Sequence, residues 1–460
     1  MRKLLVISFI ALLVTGCDSS ETFTGGPASC TNDDQKRFVL DALYDWYLWN
    51  DMLPGNIDIA DYPSPEQLVT QVTETYGPRK PDGTPLDRFS SVGSLQADQQ
   101  FFGEGKYEGF GYRFNFVNGT PPFRILGVFE DSPAGASPLE RGQTVVTLNG
   151  RTPEAIFAAE GLDAFVDSND TVTFVVQDVQ GNELPAFDVT KGIVTIDPIP
   201  QVRTISIGEG VPPVGYIQFE SFISTAHDGI PYDGVNDRDF DTVFAQFRAA
   251  GVTDVIIDMR YNGGGLVRTA ELLGDYLGSV ANPGSVFSRT EFNADRAPSN
   301  NTTAFFASPS LGNGVNTTRL IVIASGGTAS ASELVTNSLI PYADVWIVGE
   351  NTFGKPVGQV GIEFCEKILR PTSFRTANAL GDGDYFDGLP VDCPAEDDLT
   401  VPVGDDNDPR LVAALSVAQT GACPPAPAAS SRAQAVTIEP VLRNPQRSGG
   451  PAAREFAGAY

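Results

Sequence analysis

Between residues 196 and 423 short apolar runs alternate with amphipathic stretches, and that alternation constrains the fold more than any other feature of the chain. VGYIQF (214–219), VTDVIIDM (252–259), RLIVIAS (319–325) and DVWIVGE (344–350) read as strands. Between them DTVFAQFRAAG (241–251, closed by Gly251), LVRTAELLGDYLG (266–278) and ASASELVTNSLIPY (329–342) read as helices. Apolar strands taking turns with helices predict an α/β domain.

The whole chain of 460 residues is too long for one ordinary domain and suggests roughly three. Ahead of the α/β region, residues 30–102 predict a small helical domain. A first helix follows the polar Asn32-Asp33-Asp34 start and carries an aromatic cluster suited to a core, and a second covers Pro65 to Tyr76. Residues 103–195 read instead as short alternating strands separated by turn signals. After Cys423 the tail 424–460 opens on PPAPAASSRAQA, a low-complexity composition expected to be disordered. Acidic residues outnumber basic ones 58 to 30, and a net charge of −28 argues against nucleic acid, whose phosphates need a Lys/Arg-rich face.

The N-terminus, MRKLLVISFIALLVTGC, joins Arg2 and Lys3 to an apolar run from Leu4 to Val14, too short to span a bilayer and suited to a signal peptide over residues 1–16. It ends in Val14-Thr15-Gly16-Cys17, which resembles a bacterial lipobox; that resemblance implies lipidation of Cys17 and a membrane anchor, with 17–29 as the tether. Asp18 resembles an inner-membrane retention signal, but inner and outer membrane both stay open. With Cys17 lipidated, Cys30, Cys365, Cys393 and Cys423 remain, an even number that suggests disulfides in an exported chain. Three pairings are possible. Cys365 with Cys393, both in the late domain, is the first expectation, leaving Cys30 with Cys423 to tie the ends. No CxxC or HExxH occurs and His227 is the only histidine, so no metal site or cofactor is expected.

His227 lies in the turn-like STAHDGIPYDG without a GxSxG string anywhere, which disfavours Ser-His-Asp chemistry. Lys355, one of seven lysines, stands in GENTFGKP (349–356). That string satisfies GxxxxGK, but Pro356 replaces the Ser/Thr that holds Mg²⁺ and the following VGQVGIEF reads as strand, so a phosphate loop is excluded. Ser330, in GGTASASEL, stands where a strand gives way to a helix; on that segment alone a helix cap, a role Ser332 with Glu333 could also fill, is the simpler reading.

The longer string GGTASASELVTNSLIPYADVWIVGENTFGKPVGQ (326–359) resembles the catalytic segment of the C-terminal processing (tail-specific) peptidases. That resemblance implies Ser330 as nucleophile, Lys355 as base and Gln359 as the residue that orients the lysine. Such a serine needs a neighbour to take its proton, and a lysine can do so only as the free amine. DMRYNGGG (258–265) is similar to the family's D-[LM]-R-x-N-x-G-G string and implies an oxyanion hole from the N–H of Gly264 (or Gly263) and that of Ala331, with Arg260 and Asn262 bracing the loop. DRFSSV (87–92), GLPVDC (388–393) and DPRLVAAL (408–415) extend the resemblance over about residues 35–418. Thr328 departs from the family's first Ser, and Pro356 from the usual Gly after the lysine, which suggests a stiffer or differently aimed loop.

Gly109-Phe110-Gly111-Tyr112 with DSPAGASPLERGQTVVTLNG (131–150) resembles a PDZ domain, with Gln143 where Asp is usual. It implies a loop whose backbone N–H groups take a peptide's C-terminal carboxylate while the tail adds as a strand. The expected whole is a ClpP/crotonase-like α/β protease core with an inserted PDZ domain and a helical N-terminal domain. It implies a serine endopeptidase facing the periplasm, acting on protein tails without metal or cofactor. A catalytically silent tail-binding lipoprotein and a Ser/Lys amidase or esterase are the rival readings.

Overall fold

The computed structural model describes residues 26–117, 120–223, 240–308 and 310–425, with the side chains of 115–117, 120–122 and 163 left aside. The signal peptide, Cys17, most of the tether, His227 and all but the first residues of the C-terminal tail lie outside the described residues. Among the described residues no helix is long and apolar enough to cross a membrane.

Helix α1 (Asn32–Trp46) starts where Thr31 Oγ1 accepts the Asp34 N–H, and α2 (Pro65–Tyr76) where Ser64 accepts that of Gln67, with Pro65 opening the first turn. Strand β1 (Ser91–Ser94) and α3 (Leu95–Glu104) follow. The helical region shares its core with a distant hairpin. Phe38, Val39, Leu43, Trp46, Leu68 and Val72 pack against Ile362, Phe364 and Leu369 from far along the chain. Two short amphipathic helices bury too little apolar area alone, and a distant hairpin covers the exposed face.

Strands β2 (Lys106–Gly109), β3 (Tyr112–Val117), β4 (Thr120–Val128), β5 (Thr144–Leu148), β6 (Thr171–Gln177), β7 (Phe187–Thr190) and β8 (Gly192–Thr195) come next. Helices α4 (Pro153–Ala159) and α5 (Leu162–Ser168) interrupt them. β3 to β7 form an antiparallel sheet in sequence order, so β3 is an edge, while β2 and β8 pair at its base. Phe110, Ile125, Phe165 and Phe174 centre its own core.

The last region contains β9 (Gln201–Ile205), β10 (Val214–Gln218), α6 (Phe240–Ala250), β11 (Asp254–Asp258), α7 (Val267–Gly278), β12 (Val286–Phe292), α8 (Ala297–Asn300), β13 (Thr302–Phe305), β14 (Arg319–Ala324), α9 (Ala331–Leu339) and β15 (Asp344–Gly349). It ends with β16 (Val357–Gln359), β17 (Ile362–Phe364), β18 (Lys367–Arg370), β19 (Thr372–Ala377), β20 (Cys393–Pro394) and α10 (Pro409–Thr420). Six strands form one sheet in the order β20-β15-β14-β11-β10-β9, parallel except between β9 and β10. Successive side chains of a strand face opposite ways, so Val255, Ile257, Leu320 and Val322 pack against α6, α7 and α9. Ile256, Ile321 and Ile323 pack on the other face against Leu411, Ala414 and Val417 of α10. The result is the three-layer α/β domain that the alternation predicts. A second sheet, β13-β12-β19-β16, and the β1-β18-β17 sheet flank it.

Both expected disulfide pairings are corrected. Cys30 joins Cys365, and Cys393 joins Cys423. Cys365 sits at φ 44° in the tight turn between β17 and β18, the hairpin that caps the N-terminal helices, so its neighbour is the start of α1. Cys393 lies on edge strand β20, beside which α10 brings Cys423.

Candidate active site

The three strings singled out for chemistry leave three adjacent parallel strands, β11, β14 and β15, at their carboxyl ends. In open α/β sheets that edge is where loops converge on a ligand.

After β14 the chain turns through Ser325–Ala329 and enters α9 at Ser330, whose φ of 56° and ψ of −115° an L residue adopts at a cost of about 1–3 kcal/mol. Its neighbours over-determine that conformation. Thr328 Oγ1 donates to Met259 O at 2.7 Å, Ala329 N to Asn262 O at 3.1 Å, and Ser332 Oγ to Asn262 O at 3.0 Å. The turn is thus stitched to the loop after β11, and Ser330 stands half-buried between buried Ala329 and Ala331.

Glu333, one turn into α9, is fully buried and holds this turn to the lysine loop. Its Oε2 accepts the Ser330 N–H at 2.9 Å and the Lys355 N–H at 2.8 Å. Its Oε1 accepts Thr352 Oγ1 at 2.5 Å and the Gly354 N–H at 2.7 Å. Burial pushes this carboxyl above the ordinary glutamate value, with the four donors pulling the other way. From sequence alone Glu333 reads only as a capping residue, and its place three residues past the N-cap is the available signal.

Lys355 is 5% exposed. Its Nζ donates to Gln359 Oε1 at 3.0 Å and lies 5.0 Å from the centroid of the Phe89 ring. Gln359 cannot flip without loss, because its Nε2 donates to Phe89 O at 2.6 Å and to Arg370 O at 3.0 Å. The amide oxygen therefore faces the lysine. Gly354 has φ +89°, and a Cβ there would lie 2.4 Å from Phe386 O, so the residue before the lysine has to be glycine. Beyond the lysine, the Pro356 carbonyl accepts the Thr376 N–H at 2.9 Å while Lys355 reaches Gln359.

Gly264, at φ +101°, packs directly on the serine turn; a Cβ on it would stand 2.8 Å from both Ser330 Cβ and Ala331 N. Its own N–H donates to Asn262 Oδ1 at 2.9 Å, and Asn262 Nδ2 donates to Phe219 O at 2.9 Å. In this structure, therefore, the Gly264 amide is engaged inside its loop. Asn262 braces that loop as expected. Arg260 does so through a buried cluster, bonding Asp258 at 2.6 Å, Asp397 at 3.0 Å and Asp408 at 2.5 Å. Burial works against the Arg260 charge, but these carboxylates outweigh it and hold the guanidinium firmly protonated. Asp397 also takes Arg141 from the β4–β5 connection at 2.5 Å, a link between domains that no local pattern announces.

Gly109 to Tyr112 run from β2 into edge strand β3. Phe110 and Tyr112 are buried, and the carbonyls of Phe110 and Gly111 accept the N–H groups of Ala134 at 2.8 Å and Phe129 at 2.9 Å. Gly111 has φ +89°, and a Cβ there would fall 2.2 Å from Ser132 Cβ. Among the described residues no group of His, Cys, Asp and Glu has metal-binding geometry.

Comparison with known proteins agrees with this arrangement. Residues 213–380 match peptidase family S41, and residues 34–91 match the peptidase S41 N-terminal domain. The chain is 24% identical over 292 residues to the carboxyl-terminal-processing protease of Synechocystis sp., covering 63% of this chain and 62% of that protein. It is 25% identical over 277 residues to the chloroplastic C-terminal processing peptidase of Tetradesmus obliquus, covering 57% and 54%. It thus spans little more than half the length of these relatives. Among solved structures, a protein described as an S41 protease from Bacteroides fragilis superposes with a TM-score of 0.62 at 21% identity over 84% of this chain and 97% of that one. The photosystem II D1 C-terminal processing protease gives 0.50 at 18% identity over 79% and 93%, and both agreements show the fold. Residues 34–91 and 213–380 of this chain thus carry, in the right order, the two domains of peptidase family S41.

Proposed function

We propose that this chain is a serine endopeptidase that cuts exported proteins recognised by their C-terminal tails, through an acyl-enzyme on Ser330. The observation that carries the proposal is the buried Lys355 amine aimed at Gln359 on a loop that Glu333 ties to the Ser330 backbone. A lysine accepts a proton only as the free amine, and a water-poor apolar setting favours that form. Lys355 Nζ takes the Ser330 Oγ proton as the oxygen attacks the scissile carbonyl. The tetrahedral oxyanion is met by the Ala331 N–H at the start of α9 and by Gly264 once its amide turns from Asn262 Oδ1. Lys355 then gives its proton to the leaving amine; the same lysine deprotonates the water that attacks the ester and passes that proton to Ser330 Oγ as the acyl–oxygen bond breaks.

In this reading residues 103–195 act as the PDZ domain. Edge strand β3 is where an extended tail would add, and Gly109–Tyr112 lead into it. Lipidated Cys17 anchors the enzyme in the cell envelope, facing the periplasm. The test is cleavage of an unfolded protein with an apolar C-terminal tail, alongside fluorophosphonate labelling. Wild type should cut and label, and Ser330→Ala and Lys355→Ala should do neither. Tail binding without cutting or labelling between pH 6 and 10 would establish the silent binder instead.

A further inference from the structure

Arg88 lies beside the candidate site and forms no ion pair among the described residues. Its guanidinium carbon lies 4.7 Å from the centroid of the Phe353 ring and 5.5 Å from that of Phe89, the ring that also borders Lys355 Nζ. The two phenyl rings stand 6.1 Å apart and tilted, a shelf on which the planar group rests. Among the described residues no carboxylate or carbonyl bonds this guanidinium, and its Nε is buried without any partner.

The three carboxylates that act on Arg88 from a distance are Glu333, Asp387 and Asp87, and each is committed elsewhere. Glu333 is occupied by its four donors. Asp387 holds Lys80 Nζ at 2.5 Å. Asp87, the adjacent residue, turns inward to the N–H groups of Phe89 at 2.9 Å and Ser90 at 3.1 Å and to the hydroxyls of Ser90 at 2.5 Å and Thr372 at 2.9 Å. A desolvated donor left unpaired is costly, and the cost is recovered when a ligand supplies the acceptor.

We propose that Arg88 is a specificity residue that binds a carboxylate of the peptide substrate beside the scissile bond, its guanidinium fork held flat by Phe89 and Phe353. The proposal rests on the peptidase reading of the site. The carboxylate belongs either to an acidic side chain or to the chain's own C-terminus, both presenting the same two oxygens to the fork.

The test uses four fluorescein-labelled decapeptides with one apolar tail sequence, carrying a free acid or an amide at the terminus and Glu or Gln at the third residue from the end. Binding to the full-length Ser330→Ala protein is followed by anisotropy, and cleavage by the wild type in parallel. A carboxylate peptide should bind about tenfold tighter than its neutral counterpart. That ratio should fall to about 1 in Ser330→Ala/Arg88→Gln and survive in part in Ser330→Ala/Arg88→Lys, whose charge also guards against a folding defect. A preference tied to Glu or to the free terminus identifies the source. Equal binding of all four peptides, or a preference that persists in Arg88→Gln, overturns the proposal. Failure of the wild type to cut any peptide while the Arg88-dependent preference remains would count against the peptidase reading alone.

Discussion

Replacing Glu333 with Gln changes few atoms and removes what joins serine to lysine. The carboxylate receives four donors, two on each oxygen. A Gln keeps one oxygen and turns an NH2 on the other pair, so either Ser330 N and Lys355 N or Thr352 Oγ1 and Gly354 N lose their acceptor. Two hydrogen bonds to a charged group, at about 1.5–3 kcal/mol each, set the scale of the local loss at about 3–6 kcal/mol. Relaxation of the loops absorbs part of this, leaving an expected loss of about 3 kcal/mol in denaturant unfolding. A shift of about 1 Å between nucleophile and base is worth about 100-fold in rate. On the proposed mechanism the loss falls on kcat with KM little changed, because Glu333 acts through the Ser330 and Lys355 backbones. Peptide cleavage kinetics, the fluorophosphonate labelling rate of Ser330 and urea titration read the three effects. If Glu333 is protonated in the fold, Gln mimics it. Retention of kcat within about threefold together with unfolding within about 0.5 kcal/mol of wild type would refute the reasoning.

Glu271 on α7 is raised to about 7 by burial and then by the nearby Asp275. Its contribution to stability is therefore complete below about pH 4.5 and lost as pH rises through about 7, on the order of 2 kcal/mol after allowing for partial exposure; Glu271→Gln should flatten this part of the stability profile, and an unchanged slope counts against it. Gly264→Ala forces a Cβ to 2.7 Å from Ala329 O and 2.8 Å from Ala331 N at φ +101°, so cleavage should fall at least 100-fold, and an active, normally folded variant would show that the loop can move aside. Non-reducing peptide mapping should recover Cys30 with Cys365 and Cys393 with Cys423, whereas a Cys365–Cys393 peptide would contradict the hairpin's seat on α1. Because Cys30–Cys365 closes a span of 335 residues, its removal should cost the larger share of stability, about 6 kcal/mol in the chain-entropy description.

What the sequence made legible was whatever is encoded within one turn or one strand. Pro65–Tyr76 announces itself through Ser64 and Pro65, and β14, α9 and β15 follow from uninterrupted apolar runs around GGTASASEL. Ser330, Lys355 and Gln359 fall within thirty residues of one another, so their string could be recognised whole. The contacts that escaped notice are long-range. Nothing near Phe38 says that Phe364 will cover it, their rings 5.1 Å apart, and both disulfides follow from such placements. Arg141 and Asp397 meet across 256 residues, and the commitment of the Gly264 amide to Asn262 depends on a side-chain rotamer that no pattern reports.

The carbonyl that fixes Gln359 belongs to Phe89, outside the α/β region, and its second anchor, Arg370, lies on a strand paired to β1. Drawn on a sequence map, residues 196–423 look like a portable module. Excised or recombined on those boundaries, they would keep both members of the Ser/Lys pair but only half of the grip on the amide that steers the lysine. Any shuffling of this chain, by evolution or by an engineer, must therefore carry the N-terminal helices along as cargo of the candidate site.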